Sequence, residues 1–280
     1  MIIDTHTHFY DPSRPAGVPW PSVNDALLYR PFLPEEYARV IKPFGVVGTV
    51  AVECNRPVEQ DNAWVLEQAD RNAILQAFVG YLDPAAPWFQ NELAGCLKHR
   101  AFRGLRIHSR DVPSILSSAG GTRGLEVLAE CGGVVEVISG RETYANTLAL
   151  CRAVPKLTVV LNHLGKTCFD DPEQELWQTL RRLASYRNVV AKVSGLLEDA
   201  PLDSRSELVY RAGVRRCYEV FGEERLVFGS NWPVTLRYAS LEELFRFALE
   251  LLHSLPATAA SAVLLHNAQR VYRLNGHPLG

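Results

Sequence analysis

The 280 residues carry a formal net charge of −2, with 47% hydrophobic and 21% charged residues. That is apolar surface enough for one large core, and without a basic excess it argues against a nucleic-acid or anionic-membrane partner. The six cysteines (Cys54, Cys96, Cys131, Cys151, Cys168 and Cys217) are scattered without a C-x-x-C pair, which excludes a compact disulfide framework and reads as free thiols in a reducing compartment.

The chain opens directly on a strand-like run over 1–9, with no basic-then-apolar leader before it. A Pro-rich stretch over 12–34 follows. Its Trp20, Tyr29 and Phe32 supply packing groups, so we expect an ordered loop over the mouth of the fold rather than a linker. Leu33-Pro34-Glu35-Glu36 opens a helix with proline and acids in its first turn. Strand-like runs then recur over 44–53, 74–82, 102–108, 133–138, 157–162, 189–194 and 226–229, which with the first makes eight. Between them, helical spacing of apolar residues runs over 60–71, 122–129, 142–154, 174–185 and 207–221, and a last such stretch covers 241–254.

Alternating β and α units predict a parallel sheet, and the near-continuous Val/Ile/Leu runs fit strands buried on both faces. Eight units in one chain of this length favour a single (β/α)₈ barrel domain over 1–280. An open dinucleotide-binding sheet is disfavoured, since no G-x-G-x-x-G follows the first strand. No apolar run approaches the roughly 20 residues of a membrane span, and the sequence reads as cytoplasmic, with homo-oligomerisation left open.

The chemistry collects at strand ends, where barrels place their sites. In Asp4-Thr5-His6-Thr7-His8, alternation puts Asp4, His6 and His8 on one face. Two imidazoles at that spacing suit one divalent cation, or acid/base work without metal. His163 ends the sixth strand in Asn162-His163-Leu164-Gly165-Lys166 and Asn231 ends the eighth in Gly229-Ser230-Asn231-Trp232-Pro233. An amide binds hydrogen or a cation but cannot act as a base near neutral pH, and Asn equally often caps the next turn. Glu53 ends strand two and shares a face with Asn55; it is a candidate metal ligand, base or counter-charge. Arg106 and His108 share a face of strand four, where an inward Arg suits a carboxylate or oxyanion, or else an internal ion pair with Glu136. Lys192, on the same face as Ser194, reads as a partner for Asp4 or Glu136. His99, His253, His266 and His277 read as surface or packing residues.

Taken together these stretches resemble the amidohydrolase-2 group of the amidohydrolase superfamily, in particular its L-fucono- and L-rhamnono-lactonases. The likeness runs from Ile3-Asp4-Thr5-His6-Thr7-His8-Phe9 through Val18-Pro19-Trp20-Pro21, Asp61-Asn62-Ala63-Trp64 and Gly104-Leu105-Arg106. It continues to the His163 and Asn231 motifs and Lys192-Val193-Ser194-Gly195-Leu196. The resemblance implies a distorted barrel. His6, His8 and His163 would hold a divalent metal, zinc by expectation and dispensable in some members, or else bind substrate directly. It also implies a hydrolase that opens a small sugar-acid lactone to its hydroxy acid. Catalysis would fall to His163, Asn231 and Glu53, and substrate binding to Arg106, His108, Trp20, Tyr81 and Trp232. The chain departs from the group at Asn231, where many members carry Asp as general base. Two other readings stay open on the same barrel: a metal-dependent decarboxylase of a small unsaturated acid, and a non-catalytic sugar-acid binder.

Overall fold

The computed structural model describes residues 1–54, 60–138, 144–165, 174–198 and 204–274. Its sheet contains β1 (Ile2–Thr7), β2 (Val46–Val52), β3 (Leu75–Gly80) and β4 (Phe102–His108). It continues with β5 (Val134–Ile138), β6 (Thr158–Leu161), β7 (Val189–Val193) and β8 (Leu226–Phe228). All neighbours pair in parallel and in chain order. Closure of the barrel comes just past β8: Thr7 bridges Trp232, Asn231 N donates to His6 O at 2.8 Å, and His8 N donates to Trp232 O at 2.8 Å. The two expected site segments are therefore stitched together by main chain.

Helices α1 (Pro34–Val40), α2 (Gln60–Arg71), α3 (Phe89–Leu97), α4 (Val112–Ser117) and α5 (Gly121–Glu130) cover the first half of the outside. The second half is covered by α6 (Tyr144–Ala153), α7 (Gln174–Ala184), α8 (Ser204–Phe221), α9 (Leu241–His253), α10 (Ala257–Ser261) and α11 (Asn267–Val271). Sequence pattern left 83–101 without a helix. α3 forms there nonetheless, because Phe89 and Leu93, four residues apart, bury one stripe and outweigh Gly95. The terminal pair α10 and α11 is likewise decided by docking, with Ala259, Val263 and Ala268 buried. Among the described residues no helix is long and apolar enough to cross a membrane.

Two apolar layers result. The larger lies between strands and helices. The smaller fills the barrel's lower interior with Ile3, Val50, Ala77, Val79, Val160, Val190 and Val227, and Tyr272, just after α11, closes it from below. The loop before α1 packs as expected. Tyr10 pairs with Phe32, the Tyr10 hydroxyl donates to Leu28 O at 2.9 Å, and Arg14 reaches Asp61 at 2.5 Å. Five cysteines, Cys54, Cys96, Cys131, Cys151 and Cys217, are free thiols. Asn55, Lys166, Cys168 and His277 lie outside the described residues, as does the start of the helix expected over 142–154.

Candidate active site

β1 is irregular between Asp4 and Thr7, and this corrects the expected shared face. Asp4 does not stand beside the imidazoles. Its carboxylate accepts from the Tyr37 hydroxyl of α1 at 2.6 Å, from Ser230 N at 2.8 Å and from His6 N at 3.0 Å. Burial pushes its pKa up, against these hydrogen bonds. Asp4 is thus a clamp holding β1 to the turn after β8, while His6 and His8 turn inward.

The His8 ring lies at the upper end of β1. Its Nδ1 is 2.8 Å from Val52 O, and a carbonyl only accepts, so the proton sits on Nδ1 and Nε2 keeps its lone pair. That Nε2 lies 3.2 Å from Asn231 Oδ1. The amide cannot be turned over to donate instead, because Asn231 Nδ2 already donates to Glu198 Oε1 at 2.5 Å. Turned over, it would set oxygen against carboxylate. Two acceptor lone pairs therefore face one another, an arrangement that calls for an electropositive atom between them.

His6 sits deeper and is fully buried. Its ring centroid is 4.9 Å from that of His8 and 4.6 Å from that of His163. Its Nδ1 is 3.2 Å from Lys192 Nζ, and its buried Nε2 has no hydrogen-bond partner among the described residues. His163 takes a left-handed backbone (φ 52°), which lifts its ring off the end of β6 over the barrel mouth. Ser194 Oγ lies 2.9 Å from its Nδ1. The ring presses on Gly195, where an added Cβ would stand 3.1 Å from Nδ1 and the backbone has φ +68°, so both space and conformation require glycine there.

Below the imidazoles is a buried ionic layer. Lys192 Nζ donates to both Glu136 oxygens at 2.7 Å and to Thr5 O at 2.7 Å. The Tyr272 hydroxyl donates to Glu136 Oε1 at 2.6 Å. Of the two partners weighed for Lys192, Glu136 is the one it contacts. The Glu136 pair weighed for Arg106 does not form: Arg106 Nε donates to Glu53 Oε1 at 2.7 Å. Glu53 thereby acts as counter-charge to Arg106. Burial, and then the positive charge of Lys192, hold the His6 pKa well below the ordinary histidine range. Burial and Arg106 push that of His8 down to about 3. Both rings are neutral near pH 7, the state in which an imidazole offers a lone pair.

A cleft of about 590 Å³ opens above this layer, lined by His8, Trp20, Cys54, Arg106, His108, Arg110, Ile138, His163, Asn231 and Val234. Trp20, Arg106 and His108, expected to bind substrate, line this cleft. Trp232 does not: it is 1% exposed and packs against Phe9, Phe32 and Tyr37. The residue after Asn231 points away from the mouth, into the outer core. Tyr81 also misses the cleft and lines a separate small void behind Glu53 and Cys54. Cys54, Arg110 and Glu198 escaped sequence reasoning. Cys54 and Arg110 directly follow strand-end motifs and could have been found that way, whereas Glu198 lies in a turn past β7 and carried no signal.

Among the described residues, no group of three His, Cys, Asp or Glu side chains is placed to hold a metal ion together. The donors that fit such an ion are His8 Nε2 and the amide oxygen of Asn231, joined by the buried His6 Nε2 in the tautomer that carries its proton on Nδ1, a neutral set of borderline and hard ligands suited to a divalent cation.

The depressed imidazoles carry a pH signature for chelated protein. Unfolded, His8 takes a proton near pH 6.5; folded, it resists until about pH 3. Stability is therefore full above about pH 6.5 and is lost as pH falls towards 3. Each pH unit in that window costs about 1.4 kcal/mol per group, and the raised pKa of Asp4 offsets part of this at the acid end. Thermal melts at pH 7.5 and 4.5 should show His8→Gln less acid-sensitive than wild type, by on the order of 2 kcal/mol. Parallel curves would contradict a buried neutral His8.

The amidohydrolase family profile matches residues 3–274. An L-fucono-1,5-lactonase of Burkholderia multivorans is 30% identical over 98% of this chain and 96% of that protein. An L-rhamnono-gamma-lactonase of Scheffersomyces stipitis is 35% identical over 32% of each chain. A crystal structure of an amidohydrolase from Burkholderia multivorans with bound zinc superposes with a TM-score of 0.88 at 28% identity, covering 98% of this chain and 99% of the other.

Proposed function

The chain belongs to the amidohydrolase family and is a hydrolase, and from that premise we propose that it opens a small sugar-acid lactone by adding water to the lactone carbonyl. Support comes from the lactonases similar to it along the chain and from one feature of the site. Two imidazoles, His8 and His163, both packed on the buried His6, and an inward arginine border a cleft of about 590 Å³, large enough for one sugar ring.

In this reading Arg106, held in place through Nε by Glu53, presents the rest of its guanidinium to the carbonyl oxygen as charge develops there. His8 Nε2 and Asn231 Oδ1, 3.2 Å apart, share one hydrogen of the attacking water. His163, tethered by Ser194, takes a proton from that water as the new C–O bond forms. It returns the proton to the ring oxygen as the ester bond breaks, leaving the open hydroxy acid. Trp20 and His108 border the sugar. A divalent metal on His6, His8 and Asn231, when bound, would supply a Lewis acid and lower the pKa of water towards ~7, so that no strong carboxylate base is needed.

The test is hydrolysis of L-fucono-1,5-lactone and L-rhamnono-γ-lactone by purified protein, before and after chelation, with metal content measured alongside. We expect turnover of at least one lactone, about one zinc per chain, and loss of activity on chelation with recovery on adding zinc. Undiminished activity in metal-free protein would remove the metal and leave the proton transfers to His163. No turnover of either lactone, with carbon dioxide released from a small unsaturated acid, would replace lactone opening by decarboxylation.

A further inference from the structure

The Asn231 amide is held from outside the cleft. Its main chain is already committed, with N donating to His6 O at 2.8 Å and O accepting from Thr235 N at 3.1 Å. The side chain is directed elsewhere, Oδ1 to His8 and Nδ2 to Glu198, and the turn that follows, Val234–Arg237, has Pro233 at its N-cap. This answers the turn-capping alternative: position 231 closes the turn through its backbone, and the amide serves something else. That amide is 4% exposed and spans His8 Nε2 on one side and Glu198 Oε1 on the other.

Glu198 reaches it because two adjacent strands end alike. Past β7, Leu197 adopts φ 69°, and past β8, Asn231 adopts φ 60°. Two left-handed residues turn the loops towards one another over paired strands. A carboxylate accepts and cannot donate, so it selects one of the two orientations open to a primary amide. The selected orientation is the one with nothing to gain from His8, whose Nδ1 proton on Val52 O leaves a second lone pair facing Asn231 Oδ1. An amide drawn by a carboxylate at its nitrogen also carries more negative charge on its oxygen.

We propose that Glu198 is a positioning residue, which fixes the Asn231 amide with its oxygen towards His8 and so creates, with a neutral residue at 231, an acceptor pair for a divalent cation. A role in kcat rests on the hydrolytic reading above; the orientation itself does not.

Three variants test it: Glu198→Ala, Glu198→Gln and Asn231→Asp. The Asn231 side-chain NH2 signals, identified by their loss in Asn231→Asp, are followed in ¹H–¹⁵N spectra, and zinc is titrated into chelated protein by calorimetry. In wild type one NH2 proton should be shifted downfield by the carboxylate. Glu198→Ala should abolish that shift and weaken zinc binding by about 10–100-fold, the usual effect of losing a group that orients a ligand. Glu198→Gln still offers an amide oxygen to Asn231 Nδ2 and should stay within about threefold of wild type. The melting temperature should be little changed in either. Overturning results are an unshifted amide in wild type, or a Glu198→Ala protein whose amide signals and zinc titration match wild type. Inactivity towards lactones would sink the hydrolytic reading and leave both readouts standing. Were wild type to take up no zinc, the acceptor pair would have no cation and the proposal would fall.

Discussion

Replacing His8 by alanine is expected to lower kcat/KM for lactone opening by about 10³-fold, within the range typical of positioned proton-handling and ligand groups. The Val52 carbonyl holds the ring by its Nδ1 proton, so Nε2 is committed as an acceptor in the mouth, next to Asn231 Oδ1. Alanine removes the lone pair and the ring that borders the cleft. Zinc uptake should fall with activity, whereas the fold should survive. The ring is at the top of the barrel, above the apolar layer of Val50, Val160 and Val190 that carries the interior packing. Steady-state kinetics, zinc stoichiometry and thermal melts on one preparation check this. Activity within threefold of wild type would show that the His8 acceptor takes no part in the reaction.

Lys192→Met should destabilise the fold by about 3–5 kcal/mol, the usual penalty for stranding one member of a buried ion pair. Both partners are fully buried, with Nζ 2.7 Å from each Glu136 oxygen. Burial lowers the Lys192 pKa, and Glu136 opposes that shift. Without the lysine, Glu136 keeps, among the described residues, the Tyr272 hydroxyl and His6 Nδ1 at 3.9 Å, and the carboxylate is left in the barrel beside a neutral imidazole. Removing both charges, as Lys192→Met with Glu136→Leu, should recover most of that loss, since a well-packed apolar pair is often no less stable than an ionic one. The double variant should still be impaired in catalysis, because the ammonium 3.2 Å from His6 Nδ1 is lost from beneath the imidazoles. Denaturant unfolding of the three proteins decides the matter. A Lys192→Met protein within 1 kcal/mol of wild type would mean that Glu136 is relieved in some other way, by water or by protonation.

Where expectations from sequence fail, the reason is local geometry that a periodic pattern does not carry. Strand alternation located His6 and His8 correctly but misplaced Asp4, because β1 is irregular between Asp4 and Thr7 and a period of two does not survive an irregular strand. Trp232, a substrate-binding residue by the family resemblance, does not line the cleft. The left-handed turn at Asn231 sends the next side chain into the outer core. Arg106 has Glu136 one strand away in register but pairs with Glu53, just past β2, since inside a barrel the inward side chains of alternate strands share a layer.

What the sequence determined by itself is the architecture and the chemistry available. Eight Val- and Leu-rich runs alternating with amphipathic helices leave few alternatives to a parallel barrel, and residues at strand ends must face its mouth. The tertiary structure alone decided how those groups are used. Hydrogen-bond partners come from segments far apart in the chain: Val52 for His8, Glu198 for Asn231, Tyr272 for Glu136. Local pattern fixes which face a residue occupies. It does not fix which proton is shared across the barrel, and in this site that sharing sets each ring's tautomer, each charge's partner and the direction of the one amide where an acid would stand.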